Sequence, residues 1–218
     1  MQYKAAIFDM DGLLIDSEPL WQEAGIETLR KFEIDLTIEQ YHTSTGLRTE
    51  EWIEHWFHIF GVSMEHAPEA TATIIKKSIE KIDERGIVFP GVNYIFDFFR
   101  KQQFKMAIAT SSPLALVDVV VKKLNPDFAF DAITSAEHLP YGKPHPMVFL
   151  NCASDLQVRP MECIVFEDSF NGMIAAKAAR MKCVVVPAVA EQANPKWKAA
   201  DIVLKQLNDF NLSSITNL

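Results

Sequence analysis

Asp9 and Asp11 stand one residue apart in Phe8-Asp9-Met10-Asp11-Gly12, directly after the apolar run KAAIF at 4–8. Acids at the carboxyl end of a buried strand sit where open α/β sheets place their ligands. Along an extended strand, i and i+2 side chains share a face, but a chain leaving the strand at Gly12 can turn the second acid elsewhere. In a dry cleft both would be costly without a cation or a proton to balance them. Asp-x-Asp alone also describes solvated turn acids. The strand before it and Gly12-Leu13-Leu14 after it make this pattern far more specific.

Three further segments end a strand in chemistry-bearing groups. Ile108-Ala109-Thr110-Ser111-Ser112-Pro113 closes on hydroxyls and opens a helix, which makes either an anion site or a plain N-cap by Ser112. Lys143 sits in Tyr141-Gly142-Lys143-Pro144-His145-Pro146, where flanking prolines stiffen the loop; alone it would read as a surface charge. It is no P-loop, because Glu137 and Pro144 occupy the places of the first glycine and the Ser/Thr. Val165-Phe166-Glu167-Asp168-Ser169 puts acids after another apolar strand, suited to metal ligation or, for Asp168, to helix capping.

Taken together, acids from two strand ends (Asp9, Asp11, Asp168, with Glu167) suit a hard cation, and a site that keeps waters and a substrate phosphate suits Mg²⁺. Hydroxyls and a lysine opposite suit the phosphate. Phosphoryl transfer needs that mixture, because an anionic nucleophile and an anionic substrate must meet.

The elements that position these groups alternate along the chain. Short apolar runs at 4–8, 104–110, 131–134, 163–166, 183–187 and 201–204 read as buried strands. Helical stretches lie between most of them, with start signals at Ser112-Pro113, Pro146 and Asn194-Pro195. This is α/β architecture: a Rossmann-like parallel sheet with helices on both faces. From Ser17 to Glu84 only amphipathic helix patterns occur. Leu20, Trp21, Ala24, Thr28, Leu29 and Phe32 share a face, Thr37 and Gln40 have capping-box spacing, Trp52, Trp56 and Phe60 form an aromatic face, and Arg85-Gly86 reads as a stop. Those 68 residues hold 14 acids and 6 bases, while the rest of the chain is formally neutral. The expectation is a core of residues 1–16 and 85–218 and an inserted helical cap of 17–84, crossed near 15–19 and 84–91. The alternative is that the inserted helices pack onto the sheet as extra layers.

Composition narrows the classes. The 218 residues carry a net charge of −8, with 49% hydrophobic and 23% charged, a globular profile. Cys152, Cys163 and Cys183 lack paired metal spacing and read as free thiols of a reducing compartment. No apolar run reaches the ~18 residues of a membrane span. Asp9 and Asp11 break the N-terminal apolar stretch against a secretory signal. A cytoplasmic enzyme with no membrane partner is expected, as a monomer because no heptad or edge-pairing signal is present. An acidic insertion and the lack of a basic stripe speak against nucleic acid. His55 and His58 in HWFH lack zincin spacing.

The four segments resemble, in order, the four motifs of the haloacid dehalogenase superfamily of phosphotransferases, and the helical insertion resembles that superfamily's helical C1-type cap. The likeness covers essentially the whole chain. FDMDGLLIDSEPLW, TGLR, SSPL, SAEHLPYGKPHP and EDSFNGMIAAKAARM are most similar to the bacterial 2-deoxyglucose-6-phosphatase and hexitol phosphatase type. The resemblance implies an aspartyl-phosphate formed on Asp9, with Asp11 as general acid and then general base. It implies Mg²⁺ held by Asp9, the Asp11 carbonyl and Asp168, with Glu167 acting through water. Gly12, Thr110, Ser111 and Lys143 are the implied phosphate-contacting positions. The implied substrate is a small phosphorylated sugar or sugar alcohol: a hexose, deoxyhexose or hexitol phosphate.

Within the superfamily, β-phosphoglucomutases share fold, cap and motifs but place a histidine ten residues after the second Asp, where Trp21 stands here. A tryptophan cannot relay a proton but can wall a pocket, so hydrolysis is favoured over a mutase-like phosphotransfer. Arg48, in Thr45-Gly46-Leu47-Arg48, falls in the cap's substrate loop and is expected at the substrate, with a surface arginine as the alternative. A non-enzymatic phosphoacceptor or phosphate-binding domain would use Asp9 but needs neither Asp11 nor a cap.

Overall fold

The structure, a computed structural model, describes residues 3–44, 47–124 and 128–218. In chain order it runs β1 (Ala5–Phe8), β2 (Ile15–Asp16), α1 (Glu18–Leu29), α2 (Ile38–His42), α3 (Thr49–Phe60), α4 (Ala67–Arg85) and β3 (Ile87–Val88). It continues through α5 (Val92–Lys101), β4 (Lys105–Thr110), α6 (Leu114–Leu124), β5 (Ala132–Ser135), α7 (Met147–Asp155) and β6 (Cys163–Glu167). α8 (Phe170–Ala178), β7 (Lys182–Val185), β8 (Ile202–Val203) and α9 (Leu212–Asn217) complete it.

Six strands form one parallel sheet in the order β5-β4-β1-β6-β7-β8. All six apolar runs of the sequence lie in it. The chain reverses its direction of travel across the sheet between β1 and β6. Ligands of such sheets bind at that switch point, outside the carboxyl ends. Asp9 follows β1 there, its N–H donating to Phe166 O at 2.9 Å, and Asp168 follows β6.

Strand alternation divides the core by side-chain size. Ala6 and Phe8 point to one face, where Phe96, Phe99, Phe166 and Phe210 gather around Phe8. Phe8 stacks on Phe166 with ring centroids 5.0 Å apart. Ala5 and Ile7 point to the other, filled by smaller side chains of α7 and α8 such as Cys152, Ala153, Ala175 and Ala176. The three cysteines are buried and free. No helix among the described residues is long and apolar enough to cross a membrane.

Between β2 and β3 the chain is helical, as the period indicates. α1 buries Leu20, Ala24, Gly25, Thr28 and Leu29. Thr37 and Gln40 close a capping box at α2, and α4 ends at Arg85. These helices pack around a hydrophobic cluster of their own, including Trp52, Trp56, Phe57 and Ile74, and they form the helical cap. Across the α1–α4 seam Lys77, Lys81 and Arg85 pair with Glu23 and Glu27, two of the insertion's 14 acids.

Three details differ from the sequence reading. β2 and β3 pair antiparallel where the chain enters and leaves the insertion, too short to register as strands by composition. Asn194-Pro195 opens a 3₁₀ turn, Pro195–Ala199, instead of a full helix. Phe60 is 41% exposed at the last turn of α3, so the aromatic face that reaches the cap core ends with Trp56 and Phe57.

Candidate active site

The carboxyl ends of β1, β4 and β6 and the underside of the cap enclose a cleft of about 700 Å³, open space at its mouth included. Its floor holds Asp9, Asp11, Thr110, Ser111, Ser112, Lys143 and Asp168, and its roof includes Trp21, Tyr41, Ser44, Thr49 and Trp52. Nine of the ten residues singled out in the sequence as catalytic, metal-binding or substrate-binding therefore border this space or, as Gly12 and Glu167 do, pack directly behind it.

Lys143 is the hub of the floor. Its ammonium is 2% exposed and donates to Asp9 Oδ1 at 2.5 Å, Glu167 Oε1 at 2.6 Å and Ala109 O at 3.2 Å. Burial disfavours its charge, but Asp9 and Glu167 outweigh burial and push its pKa above the ordinary lysine value. One cation does not satisfy the acids around it. Ligand oxygens of Asp9, Glu167 and Asp168 lie within 4.8 Å of one another. Two like charges 4 Å apart repel by about 4 kcal/mol at an effective dielectric of 20. Burial raises Asp9 well above the usual carboxylate range, opposed by Lys143 and reinforced by Glu167 and Asp11. Asp168 is raised in the same way by burial, then by Glu167 and Asp9. A divalent ion removes that mismatch, so the donor set fits a hard cation on its own chemistry.

Asp11 has turned away from this cluster, as Gly12 allows. Gly12 takes φ +75°, and a Cβ there would collide with the Asp168 carboxylate. Asp11 Oδ1 accepts from Ser17 Oγ at 2.7 Å and Trp21 Nε1 at 2.8 Å, and Oδ2 accepts from Ser112 Oγ at 2.6 Å. Ser17 and Ser112 were missed as site residues. Ser112 reads equally as an N-cap, and Ser17 carries no signal until the turn brings it back beside Asp11.

Other placements differ from the expected ones. Gly12 N–H donates to Ile15 O at 3.0 Å, so Gly12 serves the turn and its N–H is not offered to a phosphate. The Thr110 hydroxyl accepts from Ser112 N at 3.0 Å, bracing the loop. Glu167 is fully buried, accepting from Lys143 and, through Oε2, from Ser169 Oγ and two backbone N–H groups. Ser169, not Asp168, caps α8 by accepting from Gly172 N. Arg48, expected at the substrate, does not line the cleft; its guanidinium donates to Ala136 O and Leu139 O of the core. Thr45 and Gly46 of the same expected loop lie outside the described residues.

Glu18 was also missed. It lines the cleft at the first turn of α1, half-buried, and burial followed by the charges of Asp11 and Asp16 raises its pKa from 4.5 to about 8.

A six-stranded parallel sheet with carboxylates and a buried lysine at its switch point, roofed by a helical insertion, defines a phosphoryl-handling hydrolase architecture. Residues 6–186 match the family model described as haloacid dehalogenase-like hydrolase, and the chain belongs to that family. It is 38% identical over 215 residues to hexitol phosphatase B of Escherichia coli (strain K12), covering 98% of this chain and 97% of that protein. It is 30% identical over 191 residues to the fructose-1-phosphate phosphatase of the same strain, covering 85% and 97%. Among solved structures, a β-phosphoglucomutase from Clostridium difficile superposes with TM-score 0.87 at 25% identity, covering 99% of this chain and 96% of that one.

A carboxyl whose folded pKa exceeds its unfolded one binds more protons when folded, so Glu18's contribution to stability is intact below pH 4.5 and is lost as pH rises towards 8. In EDTA, the melting temperature of Glu18→Gln minus that of the parent should therefore grow by several degrees from pH 5 to pH 8. A difference that stays flat over that range would show that Glu18 ionises normally.

Proposed function

We propose that the protein is a Mg²⁺-dependent phosphomonoester hydrolase of small sugar or sugar-alcohol phosphates, working through an aspartyl-phosphate on Asp9. The observation that carries the reading is the pairing of Asp9 with Lys143 beside Asp168, under a roof of aromatic rings and hydroxyls. Core residues 1–16 and 85–218 would bind the phosphate, and cap residues 17–84 would enclose the rest of the substrate. Asp9, Asp168 and the Asp11 main-chain carbonyl would hold Mg²⁺, with Glu167 helping through water. The ion supplies positive charge that lowers the repulsion between a carboxylate nucleophile and phosphoryl oxygens.

Asp9 attacks phosphorus, and the bond to the sugar oxygen breaks while that oxygen takes a proton from Asp11. Water then attacks the aspartyl-phosphate, giving its proton to Asp11 and releasing Asp9 and phosphate. Oδ1 faces an indole N–H that only donates and the Ser17 hydroxyl, and Oδ2 faces the Ser112 hydroxyl, so each oxygen has beside it a hydroxyl that can rotate and accept the proton. Lys143 holds a phosphoryl oxygen and orients Asp9, with Ser111 beside it. Trp21 fixes Asp11 from the cap and walls the sugar space, so the leaving group and its acid are read from the same side.

Lys143 is the only lysine or arginine lining the cleft among the described residues. That is charge for one phosphoryl group, which favours monophosphates and net hydrolysis over a bisphosphate-handling mutase.

Side-by-side assay of hexose, deoxyhexose, hexitol and pentose monophosphates with Mg²⁺ should give sustained phosphate release, abolished by EDTA and restored by Mg²⁺. A stoichiometric burst that then stops would overturn hydrolysis. Asp9→Asn should lower turnover by ~10³-fold or more, as removal of a covalent nucleophile does. Asp11→Asn should slow sugar phosphates more than aryl phosphates, whose leaving groups need less protonation. Equal penalties on the two would remove Asp11 from the acid role.

A further inference from the structure

The cap touches the core at the loop that delivers Lys143. This loop runs from the end of β5 at Ser135 to the start of α7 at Met147. Arg48, just before α3, extends its guanidinium across it. Nη1 donates to Leu139 O at 2.6 Å and Ala136 O at 3.3 Å, and Nη2 donates to Glu51 Oε1 at 2.7 Å. The same Glu51 oxygen accepts from Gly142 N at 3.3 Å, while Glu51 Oε2 accepts from Arg48 N. Arg48 is largely buried, its side chain 14% exposed.

Gly142 shows how close the approach is. A Cβ on it would lie 2.7 Å from Glu51 Oε2 and 2.9 Å from Arg48 Cγ and Nε. Any side chain there would have to push the Arg48–Glu51 pair aside, and the very next residue is the lysine bound to Asp9 and Glu167. An arginine and an acid one helical turn apart on the cap thus grip three backbone groups of the core loop, flanking the residue that meets the phosphate.

We propose that Arg48 and Glu51 are positioning residues: a cap-borne clasp on the Ala136–Gly142 backbone that sets the placement of Lys143, so that full phosphate affinity arises when the cap is docked. The inference rests on Lys143 as a phosphate-binding group. Arg48 acts through that lysine and does not touch the substrate. A flexible ammonium is a poor replacement, because a point charge cannot span two carbonyls and a carboxylate as the planar fork does.

Inorganic phosphate is the direct probe, since it has no sugar for the cap to contact. By calorimetry in Mg²⁺, Arg48→Met should weaken phosphate binding roughly tenfold, Arg48→Lys should recover only part of it, and Lys143→Met should weaken it further. The double variant should bind no worse than Lys143→Met alone, because one effect passes through the other. Melting curves establish that each variant is folded, and Glu51→Gln replaces Arg48→Met if the latter is not. Two results would overturn the clasp: phosphate affinity within twofold of the parent while sugar-phosphate KM rises, which makes Arg48 a substrate contact, or losses that multiply in the double variant. Sugar-phosphate turnover by the parent is read alongside; if it is absent while phosphate binds, the hydrolase reading fails and the clasp still stands or falls on the binding data.

Discussion

Carboxylates crowded at the switch point of the sheet, against a single buried ammonium, are the constraint that organises this molecule. Lys143 bridges Asp9 and Glu167, and Asp168 adds a further acid within the same few ångströms. Such a group is unfavourable by itself, since buried like charges cost more than surface ones and one lysine offsets only part of the repulsion. What makes it tolerable is backbone. Glu167 takes two N–H groups at the start of α8, Asp9 is anchored through its own N–H to β6, and stiff apolar strands fix where each acid emerges. The cost of assembling the cluster is met by the sheet core, and the electrostatic strain that remains is what a divalent cation would relieve.

Asp11 shows the opposite solution. Two residues beyond Asp9, it escapes the cluster through the left-handed Gly12 and is satisfied by three donors, two of them beyond the point where the chain enters the insertion. The two acids of one motif therefore live in different environments, one among charges and one among hydroxyls and an indole. Separate environments are how one site assigns separate roles to like groups. The indole comes from the cap, so in the proposed mechanism the group that orients the proton donor would belong to the element that encloses the leaving group.

Family membership frames these observations and leaves the choice of substrate to the roof. Tyr41, Thr49 and Trp52 line it with aromatic rings and a hydroxyl, a surface that in the proposed reading would suit a neutral polyhydroxy group. Lys143, buried below, would in the same reading offer charge to one phosphate. Core and cap would then divide recognition by chemistry, and the contact of Arg48 and Glu51 with the lysine's own loop ties the two halves together.

The sheet was legible because burial on both faces demands continuous apolar runs, and all six runs are its strands; three of the four chemical segments were legible because each is polar immediately after such a run, and the fourth, around Lys143, because prolines flank its lysine. The sequence by itself determined the parallel α/β core, the helical insertion and the placement of Asp9 and Asp168 at strand ends, because these follow from local periodicity and from where polarity interrupts it. Tertiary structure alone decided the partners. Ser17, Trp21 and Ser112 meet on Asp11 across up to 101 residues of chain, the Thr110 hydroxyl turns to a neighbouring N–H, and Arg48 grips core carbonyls instead of facing the cleft. A hydrogen bond depends on direction at the scale of tenths of an ångström, and that direction is set by the turn at Gly12 and the docking of the cap, neither of which any local pattern of residue types encodes.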